Sequence, residues 1–267
     1  MRSFDLVDFK VAEADFFLKK LRKESEDFTT ARFYLSAFVS AARSITFSIR
    51  AVLGHIDGFE DWYQTRQSTL KADGLAEFFV AARNVSQKTG ELPIEFALSE
   101  RLDDGTIRVK WFFPESHPEF KRMPAGEVAD LCCEYLRKLV TVVYDCYVDW
   151  GTEIDPDQYY TKENFQRFGR SIDDADEEVI GIRGWTHVEG IPEAYRWQAL
   201  RDQMPGCRID HLFEEYLGKQ RPSPLRLPDV KRPVEGSVWI PPSLRKTDDP
   251  KEDYELYVKN LKTGRGP

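Results

Sequence analysis

Arg83 and Asn84 stand side by side in "FFVAARNVSQKTGELP", and Lys88 follows about a turn and a half later. A guanidinium and an amide with a titratable group just beyond are the equipment of an RNA-cleaving site. One group holds a phosphate and another moves a proton. The same residues also make an ordinary solvated helix end. A second spacing, Arg50 to His55 in "RAVLGH", offers an arginine with a true histidine. Histidine is the better proton carrier: its unperturbed pKa near ~6.5 lets it give and take at neutral pH, whereas lysine near ~10.4 stays protonated. Yet Ala51 stands where a polar residue would help, and Gly54 turns the chain before His55. His55 therefore reads as a loop residue beside a helix C-terminus, and as a proton source only if that loop reaches Arg83.

Other combinations carry less chemistry. In "GIRGWTHVEG" a strand would put His187 and Glu189 on one face, but two ligands do not make a metal site. The simpler reading of Trp185 between glycines is a tight turn over the core. Cys132, Cys133, Cys146 and Cys207 contain no C-x-x-C pair, so small buried thiols are expected, with no metal and no cofactor. In "RVKWFF" Arg108, Lys110 and Phe112 share one strand face and Val109, Trp111 and Phe113 the other, which suits one wet and one buried face. No G-x-S-x-G, H-E-x-x-H or Walker loop is present, which leaves hydrolase, metalloprotease and kinase readings without support.

The elements that must position these residues follow from periodicity. Leu6, Phe9, Val11, Ala14, Phe17, Leu18 and Leu21 predict a helix from Phe4 to about Glu24. Leu35, Phe38, Ala42, Ile45, Ile49 and Val52 predict another from about Thr29 to Leu53. Ser36, Ser40, Ser44 and Ser48 make an i, i+4 stripe of small residues on it, expected as a packing seam with hydroxyls returned to backbone carbonyls. "FEDWYQTRQSTLKA" predicts a third helix. Asp73 as N-cap and Gly90 before Pro93 bound a fourth, Gly74 to Thr89. "IEFALSERL" and "TIRVKWFF" around "DDG" predict a hairpin at about 95–114. A long helix from about Ala125 to Trp150 follows. Its stretch 139–148 is apolar almost all round, so it is central to the core or shared with a second chain. Short helices at 161–169, 192–203 and 208–217 and a strand near "EEVIGIRGW" would form a small subdomain over 152–218. Eight of the chain's 15 prolines fall in residues 219–267, which predicts an extended tail ending in a helix at "PKEDYELYVKNLKT".

Composition sets outer limits. The chain has 267 residues, mean hydropathy −0.52 and net charge −8, so a soluble, cytoplasmic protein with one main core is expected. The charge is uneven: residues 1–92 are neutral, 93–218 carry −12 and 219–267 carry +4. The acidic middle argues against a broad nucleic-acid-binding face, while the neutral N-terminal region leaves room for a local basic groove.

The stretch from "ARFYLSAFVSAARSITFSIRAVLG" through "GFEDWYQTRQSTLKADGLAEFFVAARN" resembles the HEPN helical domains of prokaryotes. It has a long small-residue-rich helix, an aromatic "DWY" helix and a terminal helix ending in Arg-Asn. The resemblance covers roughly residues 3–90, with the 125–150 helix as a possible addition. It implies a mainly α fold, a HEPN-like up-down bundle over 1–151 with the β-hairpin inserted. It also implies a metal-independent endoribonuclease ancestry, a homodimer whose paired motifs share a cleft, and a defence or toxin–antitoxin setting with RNA, an antitoxin or a nucleotidyltransferase-like protein as partner. By the resemblance Arg83 would steady the scissile phosphate and Asn84 would orient groups. Position 88, where the family carries histidine, is lysine. The expectation is a catalytically impaired protein that binds RNA or a protein partner through Arg83, Asn84 and Lys88. The alternatives are an active endoribonuclease with Lys88 or His55 in the proton role, and an interaction scaffold with no RNA role.

Overall fold

The computed structural model describes residues 4–25, 27–90, 92–101, 103, 105, 107–204 and 206–222. It is mainly helical, with one two-stranded antiparallel sheet. Two compact units divide the chain: Met1–Thr161 with Arg201–Pro222, and, among the described residues, Lys162–Leu200.

In the first unit α1 (Asp5–Glu24) and α2 (Phe28–Leu53) are joined by a short connection and pack along their lengths. Val7, Val11, Ala14, Leu18 and Leu21 recur at steps of four and three and are all buried, one continuous face of α1. Asp27 starts α2 by accepting a hydrogen bond from the Thr30 amide. The apolar positions expected on α2 from Leu35 to Val52 are buried, with Phe38, Ala42, Ile45 and Ile49 fully enclosed. The serine stripe is a seam as expected. Ser44 and Ser48 return their hydroxyls to Ser40 and Ile45 carbonyls, and Ser36 meets Ser86 of α4 at 3.3 Å. Gly54 ends α2 in right-handed geometry (φ −62°) with its amide on the Arg50 carbonyl, so the chain turns without a left-handed cap.

Helices α3 (Phe59–Ala72) and α4 (Gly74–Thr89) occupy the predicted spans, and Gly90 caps α4 in the left-handed conformation at φ 72°. Asp73 both caps α4, accepting from the Ala76 amide at 2.9 Å, and binds Lys138 of α5 (Val128–Asp149). Asp73→Ala should therefore lower stability by about 1–2 kcal/mol. Asp73→Asn should recover most of the cap's share but not the ion pair's, as urea denaturation of the full chain would show.

Strands β1 (Phe96–Arg101) and β2 (Ile107–Phe112) pair antiparallel with Ala97 opposite Trp111. Trp111 and Phe113 are buried, and the Trp111 indole N–H donates to the Ser25 carbonyl at 2.8 Å, so the hairpin docks by the expected face. Helix α5 begins three residues later than predicted, after Gly126 at φ 137°. Its apolar surplus is used inside the chain: Leu139, Val140, Val142, Val143, Cys146 and Tyr147 are buried, and Val148 is exposed. Short helices α6 (Gly151–Ile154) and α7 (Pro156–Tyr159) follow.

The expected subdomain 152–218 does not coincide with the second unit. Helix α11 (Asp210–Leu217) belongs to the first. Leu212, Phe213 and Tyr216 are buried there, Phe213 meets Tyr147 edge to face, and the Tyr216 hydroxyl donates to Asp15 at 2.8 Å. The second unit contains α8 (Lys162–Arg167), α9 (Ile172–Ile180) and most of α10 (Glu193–Arg201). The strand expected near "EEVIGIRGW" is instead α9, because Ser171 and Asp174 form a reciprocal capping box and Gly181 closes the helix at φ 80°. His187 and Glu189 thus fall in the turns that follow, not on one strand face, and Trp185 is 59% exposed rather than laid over the core. From residue 223 onward the expected proline-rich tail and its terminal helix lie outside the described residues. Among the described residues no helix is long and apolar enough to cross a membrane.

Candidate functional site

Two contacts set how α2 and α4 lie. Arg32 near the start of α2 donates to the Gly90 carbonyl at the end of α4 (3.0 Å), and Ser36 meets Ser86 one turn further in. The helices therefore run antiparallel, the start of α2 beside the end of α4. Phe79 closes the seam deeper down, edge to face with Phe38 at 6.1 Å and stacked on Tyr135 of α5 at 4.8 Å.

Arg83 lies one turn from both Phe79 and Ser86, so it flanks this seam. It is partly buried; among the described residues its Nε is enclosed without a hydrogen-bond partner, and its Nη1 reaches the Asn84 side-chain oxygen at 3.5 Å. Asn84 and Lys88 are exposed and one turn apart, on a single stripe of α4. Arg83 and Lys88 differ by five residues, about 140° around the helix, so lysine does not share the arginine's face. The structure brings Arg83 and Asn84 together and leaves Lys88 beside them.

His55 stands elsewhere. It is exposed in the turn after α2, and Ser36, which marks the level of Ser86, is 19 residues up the chain. At about 1.5 Å per residue that is roughly 28 Å along α2, with Arg83 only a turn from Ser86. Within one chain His55 cannot serve a phosphate held by Arg83. Its alternative role there as proton donor fails on distance.

Two arginines of α2 outside the Arg83–Lys88 and Arg50–His55 spacings belong to the same face. Arg32 lies over the Phe28 ring, 5.5 Å from its centroid. Arg43 stacks at 4.3 Å on Phe47. Burial pushes the Tyr135 phenol up to about 12, and the nearby Arg43 charge works against that rise, which puts Arg43 near the Phe79 end of the seam. Helix α2 carries three arginines and no acid, and α4 carries Arg83, Lys88 and one acid, Glu77. Of the five cations, Arg50 pairs with Glu60 at 3.0 Å. Among the described residues Arg32, Arg43, Arg83 and Lys88 have no carboxylate within ion-pair distance. The absence of acids from α2 was readable in the sequence and is the signal that would have found Arg32 and Arg43.

The chemistry available here is anion binding. Guanidinium groups with no carboxylate partner among the described residues suit phosphate oxygens, which a planar fork of N–H donors can grip. Among the described residues the ionisable side chain in the last turn of α4 is the exposed Lys88. Cys132 and Cys146 are buried, with thiols pushed well above their usual range by burial, and no group of three or more metal-ligating side chains occurs among the described residues.

Residues 5–104, which hold α1 to α4 and β1, match the family described as Bacteriophage lambda protein ea47. No curated protein and no solved structure matches the chain.

Proposed function

We propose that this chain is a HEPN-like RNA-binding protein that has lost the cleavage step and acts in a defence or toxin–antitoxin setting. The observation that carries the reading is that four cations on one pair of helices, Arg32, Arg43, Arg83 and Lys88, have no carboxylate within ion-pair distance among the described residues, in a chain of net charge −8. Most other cations of the first unit's helices are neutralised nearby, as Lys19 is by Asp15 and Glu215, and Lys138 by Asp73 and Glu134. Leaving the three arginines without a carboxylate partner among the described residues is what a surface facing phosphates requires, with Lys88 on the adjoining stripe of α4. The lysine at position 88 and the distance to His55 support binding without turnover.

Fluorescence anisotropy with a labelled single-stranded RNA of mixed sequence tests the proposal. Binding should weaken steeply with salt, and the RNA should remain intact after prolonged incubation. Arg83-dependent cleavage would favour the endoribonuclease alternative. Absence of RNA binding would leave the scaffold reading.

A further inference from the structure

A cavity of about 160 Å³ opens in the first unit between α1, α5 and the segment ahead of α11. That is close to the size of an engineered protein cavity known to hold a benzene ring. Phe4, Tyr147 and Tyr160 give it aromatic walls, Met204 and Gly206 line another side, and Asp8 lies on its inner surface. Asp8 is 1% exposed. Its carboxylate accepts from the Tyr147 hydroxyl at 3.0 Å to each oxygen and from the Arg208 amide at 2.9 Å. Among the described residues no cation lies within ion-pair distance of it; the Arg208 guanidinium turns to Asp5 instead, at 3.6 Å. A buried carboxylate ordinarily has a cationic partner, and aromatic faces attract cations. Here a buried carboxylate, the space beside it and aromatic walls converge, and no cation among the described residues pairs with the carboxylate.

We infer that this cavity binds a small organic cation, a primary alkylammonium whose NH3+ group faces Asp8 and whose carbon chain lies among Phe4, Tyr147 and Tyr160. The site shares no residue with the α2–α4 face and stands whether or not that face binds RNA. Burial pushes the Asp8 carboxyl up to about 6, so the charged form that attracts an ammonium is lost toward acid. The groups around it are Asp5 from α1, Tyr147 from α5, and Cys207, Arg208 and Asp210 from the third wall. Asp5 and Asp210 raise the Asp8 pKa further, and the Tyr147 and Arg208 hydrogen bonds lower it.

The test uses the full chain with n-butylammonium and its uncharged counterpart n-butanol, followed by NMR shifts and calorimetry. Butylammonium should bind saturably at roughly 1 mM or tighter, and butanol at least about tenfold more weakly. Binding should weaken at about pH 5 relative to about pH 7.5 as Asp8 is neutralised. Asp8→Asn, which keeps an oxygen for Tyr147 and Arg208, should lower the affinity roughly tenfold or more. Gly206→Leu adds bulk at a residue that lines the cavity, where a Cβ meets nothing within 4 Å, and should weaken butylammonium binding with Asp8 intact. Equal binding of butanol, unchanged affinity in Asp8→Asn, or no saturable binding of butylammonium to the folded wild type would each overturn the inference.

Discussion

Phe79→Ala is expected to lower the stability of the chain by about 3–5 kcal/mol, the range for deleting a fully buried aromatic side chain. Phe79 is almost wholly enclosed, stacked on Tyr135 of α5 and edge to face with Phe38 of α2. It therefore fastens α4 to two helices at once, and its aromatic contacts add to the area it buries. Phe79→Leu should cost less, because much of the volume stays filled. A midpoint shift in urea-induced loss of helical signal would register both. The consequence for function is positional, since Arg83 is one turn further along α4. At temperatures where Phe79→Ala remains folded, its RNA affinity should fall although no cation has been removed.

The second large effect concerns Asp8. Its carboxyl is pushed up from near 4 to about 6, first by burial, with Tyr147 and the Arg208 amide holding it back. Folding therefore favours the protonated form. The stabilisation is fully present below about pH 4 and is lost as pH rises through 6. At neutral pH and above, a shift of about two units corresponds to a cost of about 3 kcal/mol for keeping the ionised group buried. Asp8→Asn removes that cost while preserving an acceptor for its two donors. The variant should be more stable than wild type by up to about 3 kcal/mol near pH 8 and close to equal near pH 4. Urea midpoints across that range would show the two curves converging toward acid. A variant less stable at pH 8 would mean that ionised Asp8 holds the segment before α11 in place through Tyr147 and Arg208.

Particular residues explain what the sequence made legible. Asp73 and Gly90 bounded α4 because capping is local chemistry, with a side chain reaching a backbone amide three residues on and a glycine entering left-handed space. Leu35 to Val52 marked α2 because one buried face repeats at the helical period. The strand expected near Ile180 shows the limit: a short apolar run fits either period, and the Ser171–Asp174 capping box that decides for helix lies ahead of it. Asp8 and Asp15 were not legible as buried groups. Each sits among the apolar positions of α1, but the hydroxyls that satisfy them belong to Tyr147 and Tyr216, over a hundred residues away in sequence. Arg83 and Asn84 were found by adjacency. That Lys88 lies on a different face, and that His55 lies at the far end of α2, required the helices in place.

The cation row on α2 and α4 is the central claim, and its most direct test compares RNA affinities of wild type, Arg83→Ala, Arg43→Ala and Lys162→Ala across a salt series. Lys162 is an ion-paired surface lysine on the second unit and serves as the control. Loss of Arg83 or of Arg43 should weaken binding roughly fivefold to tenfold at low salt and lower the salt slope by about one, as removal of a phosphate contact does. Lys162→Ala should match wild type, and no RNA should be cut by any of the four. Equal affinities in all four proteins would contradict the account, since Arg43 and Arg83 would then face no phosphate.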